Sequence, residues 1–398
     1  MLQRACSPFL RKLASQFPVI VITGPRQAGK TTLARAQFPN HPYASLENLD
    51  TAARAEDDPR GFLASFPEGA VIDEIQRVPS LLSYLQQVVD ENPRPGAFVL
   101  TGSRQFGLMG ALAQSLAGRA GLLELLPFSV SELMPRYSGA LIDLDAALWH
   151  GWYPPIFDRD LDPELWYSAY ISTYLERDVR QVENIRDMAA FRRFLALCAG
   201  RTGQLVNLSA IADESGVSHN TIKSWLSVLE ASYLVRLVQP FHRNFNKRVV
   251  KTPKLHFLDT GLAARLLGIR EPSQLATHPA RGALFESFVY AELLKRRLNE
   301  HAPWDIYFWR DQGGHEVDFV LESGRSLAAI EAKSGSTFHP DQNQGLSMFQ
   351  ELTGKELDRS LLVYGGKESF GYKGSSVLPW NAMEAGGLGD WPHTDSMQ

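Results

Sequence analysis

Three groups of residues in this chain have types and spacings that could do chemistry. The first is Gly24-Pro25-Arg26-Gln27-Ala28-Gly29-Lys30-Thr31, followed by Thr32, which fits Gly-x-x-x-x-Gly-Lys-Ser/Thr. Glycines at its ends let the backbone curl until its N–H groups converge on phosphates. Lys30 would reach the β- and γ-phosphates and Thr31 would offer its hydroxyl to Mg2+. Residues Gly24 to Thr32 are therefore the expected nucleotide contacts, with ATP and Mg2+ as cofactors. The second group is Asp73-Glu74. Asp73 is the natural partner, through water, for Mg2+ held by Thr31, and Glu74 is placed to polarise the attacking water. Ser103 or Thr101 could sense the γ-phosphate, and Arg119 could contact a phosphate in cis or across a subunit interface. The third group is Asp318, then Glu331-x-Lys333 after twelve intervening residues, with Glu286 upstream. Asp318 and Glu331 could hold one or two Mg2+ ions, and Glu286 could complete that metal site. Lys333 could orient or deprotonate water and stabilise charge on a scissile phosphate.

These side chains need elements to position them. Val19-Ile20-Val21-Ile22 is β-branched throughout and predicts a short buried strand; TTLARAQF after Lys30 predicts a helix. Strand, glycine loop and helix then stand in the order a phosphate-binding loop needs. Strands are also expected over 69–74, 97–101 and 121–126, alternating with helices, which argues for a parallel sheet covered on both faces. The N-terminal MLQRACSPFLRKLASQF predicts a helix packed on this domain, with Leu2, Phe9, Leu10, Leu13 and Phe17 on one face.

Five stretches follow one another in this order: GPRQAGKTTL, AVIDEIQRVPSLL, FVLTGSRQF, SLAGRAGLLELLPFSVSEL and GWYPPIF. Together they resemble the AAA-type ATPases of bacteria and archaea that carry a C-terminal domain of unknown function, over nearly the whole chain. The resemblance implies that Lys30, Thr31, Asp73 and Glu74 carry nucleotide chemistry, with Ser103 as sensor candidate and Arg119 as arginine-finger candidate. Arg177 and Arg180, in the ERDV stretch that family members share, are further candidates to reach phosphate. A finger acting in trans would make the protein a homo-oligomer.

The middle of the chain predicts a helix-turn-helix. Ser209 could cap one short helix, Gly216 permits a sharp turn, and Ser218 could cap a second helix through Glu230. A strand from Tyr233 would follow, as in a winged helix. The second helix would present His219, Asn220, Lys223 and Ser224 to a groove. The segment 241–254 carries Arg243, Lys247, Arg248, Lys251 and Lys254 with no acid, so it could lie along phosphates as a wing. Nucleic acid is thus the expected partner, DNA ahead of RNA. Farther on, the spacing of Asp318 and Glu331-x-Lys333, behind an amphipathic helix from Leu284, is similar to the restriction-endonuclease-like fold.

The expected fold class is α/β: an N-terminal P-loop NTPase parallel sheet (1–160), a middle helical and winged-helix domain (161–280), and a C-terminal α/β restriction-endonuclease-like domain (281–370). A loose tail over 371–398, tethered by Trp380 or Trp391, completes the expectation. The composition, 44% hydrophobic and 21% charged, is that of a globular protein, and 398 residues allow two or three domains. Two cysteines exclude a disulfide framework and a cysteine zinc site, which suits a reducing, cytoplasmic setting. No apolar run is long enough for a membrane span. A net charge of −4 supplies no global basic field, so nucleic-acid binding would need local patches. Three readings remain: an ATPase acting on nucleic acid, a nucleotide-gated adaptor whose C-terminal domain binds a protein and does not cleave, and a kinase or transferase using the same glycine loop, for which no acceptor-site motif is recognisable.

Overall fold

The β-branched run becomes β1 (Val19–Thr23), buried along its whole length. It does so because it lies inside a sheet with both faces covered. The computed structural model describes residues 2–103, 110, 114–134, 143–175, 187–242, 251–354, 357–383, 388–389 and 391–392. Around β1 stand β2 (Tyr43–Ser45), β3 (Ala70–Asp73), β4 (Phe98–Thr101) and β5 (Ala120–Glu124), in the order β2-β3-β4-β1-β5. Every neighbouring pair is parallel. Successive side chains go to opposite faces. Val19, Val21, Ala70, Ile72, Phe98 and Leu100 pack with Leu81, Leu82, Leu85 and Val89 of the helix Leu81–Glu91. Ile20, Ile22, Val71 and Val99 pack under the helices Ser7–Ala14 and Lys30–Gln37. Leu2 and Phe17 fall outside the N-terminal helix.

The middle segment supplies the expected helix pair, Leu208–Ser215 and His219–Ala231. Gly216 ends the first at φ +75°, and Ser218 caps the second by accepting from the Thr221 N–H. The first cap differs from expectation. Asn207, not Ser209, accepts from the Ala210 N–H, so the helix starts earlier and Ser209 lies within its first turn. Strands β6 (Gln204–Leu205), β7 (Val235–Val238) and β8 (Lys254–Phe257) form an antiparallel sheet in the order β6-β8-β7.

The C-terminal segment opens with the helix Arg281–Glu300 and continues through β9 (Asp305–Arg310), β10 (Glu316–Ser323), β11 (Ser326–Lys333) and β12 (Leu357–Tyr364). The expected loose tail starts later than residue 371. β13 (Phe370–Tyr372) and β14 (Ser375–Pro379) extend the sheet to the order β13-β14-β12-β11-β10-β9. Trp380 and Trp391 are both buried, and Trp391 donates to Asp358. One hydrophobic cluster runs from Leu126 to Trp391 and ties the middle and C-terminal segments together; Phe288, for example, packs against Trp152 at a tilt and against Trp380 edge to face.

Cys6 and Cys198 are free and buried. Burial pushes their thiols up to about 11 and about 12 respectively, so neither is a thiolate near neutrality. Iodoacetamide at pH 8 is expected to leave native protein unlabelled and to label both cysteines in urea, as mass spectrometry would read. Among the described residues, no helix is long and apolar enough to cross a membrane.

Candidate functional site

Parallel strands deliver their carboxyl ends to one edge of the sheet. The glycine loop follows β1, Asp73 ends β3, and Thr101 and Ser103 lie at the end of β4, so the first two groups of candidate residues meet. Gly24 and Gly29 take φ of +144° and +90°, and Gly29 stands at the N-cap of the helix that begins with Lys30. The loop leans on the chain after β5: a Cβ on Gly24 would lie 2.0 Å from the Leu125 carbonyl oxygen. Gly24→Ala is therefore expected to cost about 2 kcal/mol or more in urea unfolding of nucleotide-free protein, because a backbone atom would have to move.

Lys30 is buried, and its ammonium donates to the carbonyls of Gly24 (3.1 Å) and Pro25 (2.8 Å). Burial pulls its pKa down to about 8, against the opposing pull of Glu74 and Asp73. An anion in the loop would relieve that burial cost. Thr31 Oγ1 donates to Asp73 Oδ1 at 2.8 Å. Asp73 also accepts from Tyr43 at 2.8 Å and from Thr101. Glu74 leaves the strand in the left-handed region at φ +58°, a strained conformation for a residue with a Cβ. Burial raises its carboxyl pKa above the usual range. The Gln76 amide donates both to Glu74 and to Ser103 Oγ (3.1 Å). Ser103, buried, is thus joined to Glu74 through one side chain.

A cleft of about 640 Å³ opens over the loop, lined by Arg26, Gln27, Gly29, Lys30, Thr31, Thr32 and Glu74. Leu2, Gln3, Pro154, Pro155 and Arg159 form its outer wall. This size suits a nucleotide. Behind the loop, Arg4 is buried and donates to Glu132 (3.0 Å), the Ala28 carbonyl (2.9 Å) and the Leu126 carbonyl (2.7 Å). Arg4→Met would leave Glu132 buried without its cation. Its expected effect is a fall of about 3 kcal/mol in stability, read by urea unfolding.

Arg119 is not brought to this site. It precedes β5 at the opposite edge of the sheet and pairs with Asp90, Nη2 to Oδ2 at 2.9 Å. Arg177 and Arg180 lie outside the described residues. Sequence reasoning missed Gln76, Tyr43, Arg4, Arg159 and Trp166, whose indole donates to Gln27 (3.3 Å). Only Gln76 carried a signal, lying two residues beyond Glu74 in the turn after the carboxylate strand.

The third group also assembles. Antiparallel pairing of β10 and β11 in the register Phe319↔Ile330 sets Asp318 beside Glu331, and helix Arg281–Glu300 brings Glu286 to them. Lys333 Nζ lies 2.5 Å from Glu331 Oε1 and 3.9 Å from Asp318 Oδ2. Asp318 Oδ2 accepts from the Ala332 N–H at 2.9 Å. Burial, with Asp318 nearby, raises the Glu286 and Glu331 carboxyls to about 8. Glu316, which sequence reasoning did not single out, joins Glu286 and Asp318 as a possible cation cage. One expected groove residue is not where the basic wing needs it. Lys254 is buried at 3% exposure, with Nζ 2.7 Å from Glu286 Oε1 and also paired to Glu316. It turns inward because three acids face it. Lys251, His219, Asn220 and Lys223 are exposed, whereas Ser224 is half-buried; Arg243, Lys247 and Arg248 lie outside the described residues.

Residues 16–134 match the family model described as an AAA domain. Residues 141–273 and 281–383 match two domains of unknown function, DUF8612 and DUF4143. The chain is 34% identical over 373 residues to the uncharacterized proteins Mb2031c of Mycobacterium bovis and Rv2008c of Mycobacterium tuberculosis, covering 92% of this chain and 81% of each relative. Among solved structures, the Walker-type ATPase PABY2304 of Pyrococcus abyssi aligns with a TM-score of 0.46 at 16% identity, over 67% of this chain and 96% of that one. AMPPCP-bound DnaA from Aquifex aeolicus aligns with a TM-score of 0.29 at 17% identity, over 56% and 85%.

Proposed function

The chain belongs to the family of these two mycobacterial proteins and opens with an AAA-type P-loop ATPase domain; on that premise we propose that it binds ATP with Mg2+, hydrolyses it, and couples the cycle to an action on nucleic acid. The observation that carries the nucleotide part is the Thr31–Asp73 contact of 2.8 Å beneath the glycine loop, because those two side chains are the ones that would hold the ion. Bound there, Mg2+ would neutralise charge on the β- and γ-phosphates. Lys30 would draw the same phosphates into the loop, and Glu74, oriented by Gln76 and Ser103, would accept a proton from the attacking water. Arg119, held by Asp90 on the far edge, serves as a finger only if it reaches the site of a second copy.

Three contacts support coupling to the rest of the chain. Thr23, the residue before Gly24, shares a 3.0 Å hydrogen bond with Tyr233; Trp166 bonds Gln27; Arg236 pairs with Glu124 at 3.4 Å. The middle segment is read as a winged helix that offers His219, Asn220, Lys223 and Lys251 to nucleic acid. The C-terminal segment is read as restriction-endonuclease-like, with Asp318, Glu331 and Glu286 as metal ligands and Lys333 as the group that orients water. The test incubates wild type and Glu331→Ala with labelled DNA and RNA, Mg2+ and ATP. Cleavage by wild type alone is expected. Equal survival of every substrate would remove the cleavage step, and failure to bind either nucleic acid at low salt would remove the partner.

A second reading, the nucleotide-gated adaptor that binds a protein and does not cleave, is favoured by one observation. The Lys254 ammonium already neutralises the acids that would otherwise take a metal.

A further inference from the structure

The acidic pocket of the C-terminal segment holds a cation that belongs to the chain itself. Lys254 enters from β8, the central strand of the small antiparallel sheet, and not from the segment that carries the acids. Its Nζ lies 2.7 Å from Glu286 Oε1 and 3.8 Å from Asp318 Oδ1, with Glu316 also in contact and the Phe308 ring centroid at 5.5 Å. One oxygen from each of these three carboxylates lies within 4.8 Å of the others, a spacing that a divalent ion could draw together.

One further atom aims at this place without a partner, and the neighbouring Glu331 carries a second orphan. His256, also on β8 and fully buried, turns Nε2 toward Glu286 Oε1 at 3.9 Å, beyond hydrogen-bond reach. Its Nδ1 is engaged by Ser287 Oγ at 3.1 Å. Glu331, 7% exposed, has a buried Oε2 with no hydrogen bond. Buried polar atoms are rarely left in this state, and such orphans mark a place where something else can bind.

We propose that Lys254 is a tethered cation seated in a divalent-metal pocket formed by Glu286, Glu316 and Asp318, and that the ammonium and a divalent ion exclude one another there. The reason is steric and electrostatic. The ammonium occupies the point from which a metal would reach the same oxygens, and two cations cannot share a pocket of that size. With the lysine in place, as in protein free of ATP and nucleic acid, the acids are compensated and the pocket stays closed to metal; the cleavage proposed above would require the lysine to be displaced. With it displaced, three carboxylates face one another and draw in a hard cation such as Mn2+ or Mg2+. This inference rests on the reading of the pocket as a cation site, not on whether the protein cuts nucleic acid, so the test reads metal binding alone.

Full-length protein without nucleotide is titrated with Mn2+, and bound metal is counted by electron paramagnetic resonance. The variants are Lys254→Met, Lys254→Arg, Asp318→Asn and the double variant Lys254→Met with Asp318→Asn. Lys254→Met is expected to bind one more Mn2+ per chain than wild type. It should also gain about 3 °C or more in thermal midpoint on Mn2+ addition relative to wild type. Lys254→Arg keeps a cation and should behave as wild type, and the double variant should lose the added ion. If Lys254→Met does not fold, Lys254→Gln, uncharged but still a hydrogen-bond donor, takes its place in the same comparison. The inference is overturned if the folded uncharged variant gains no Mn2+, or if wild type already binds an ion that Asp318→Asn removes.

Discussion

Lys30→Ala protein is expected to lose ATP affinity by about two orders of magnitude and turnover by more. The removed group is a buried ammonium that sits on the loop carbonyls of Gly24 and Pro25, within reach of the space phosphates would fill. A charge-assisted hydrogen bond to phosphate contributes roughly 1.5–3 kcal/mol, which is one to two decades in affinity. Further stabilisation is lost when charge develops in the transition state. The same substitution should not weaken the nucleotide-free protein through electrostatics. Burial lowers the Lys30 pKa to about 8 from an ordinary value near 10.5. Between those values the unfolded chain binds more protons than the folded one, so stability rises with pH through that window, and below about pH 8 the whole burial cost is present. Alanine removes that cost. Calorimetry with ATP should show lost binding, while urea unfolding without nucleotide should show less of the rise between pH 8 and 10.5 than wild type does. Retained affinity would remove the nucleotide assignment.

How much of this site could be read from residues alone depends on how local the cause is. The glycine loop was legible because its backbone geometry demands glycine at two fixed positions and its helix begins at once. Asp73-Glu74 was legible because a fully apolar strand stops at a carboxylate. Tyr43 was not, because β2 is three residues long and has no apolar alternation; only its pairing with β3 makes it a strand. Arg4 was hidden for another reason: its partners lie 24, 122 and 128 positions away, a distance that no periodicity encodes. In the C-terminal segment, Glu331 and Lys333 share a face by strand alternation, and their spacing from Asp318 fits a hairpin. Lys254 misled because its sequence neighbours are basic. Composition placed it in solvent, and only the three-dimensional approach of Glu286 and Glu316 draws it inward. β14 was missed because glycines and serines surround a short apolar stretch, Val377-Leu378, that pairs with β12.

Glu74→Gln separates binding from chemistry, and its expected effect is the other large one: turnover falling by roughly 10²–10³ with ATP affinity within a few fold of wild type. Glutamine keeps the length and shape of the side chain, so the left-handed turn at φ +58° and the bond from Gln76 can persist. What it removes is the ability to take a proton. That ability is tuned by the site: burial raises the Glu74 carboxyl pKa, which brings it nearer the range where a general base works well. Lys30 opposes the shift, so losing the ammonium would raise the carboxyl further, which makes the two sites energetically dependent. The double variant Lys30→Ala with Glu74→Gln should accordingly lose less than the product of the single losses. Single-turnover kinetics with labelled ATP would give the chemical step, and equilibrium titration with a non-hydrolysable analogue would give affinity. If Glu74→Gln hydrolyses ATP at the wild-type rate, the base lies elsewhere, and the strain stored at this residue serves the turn alone.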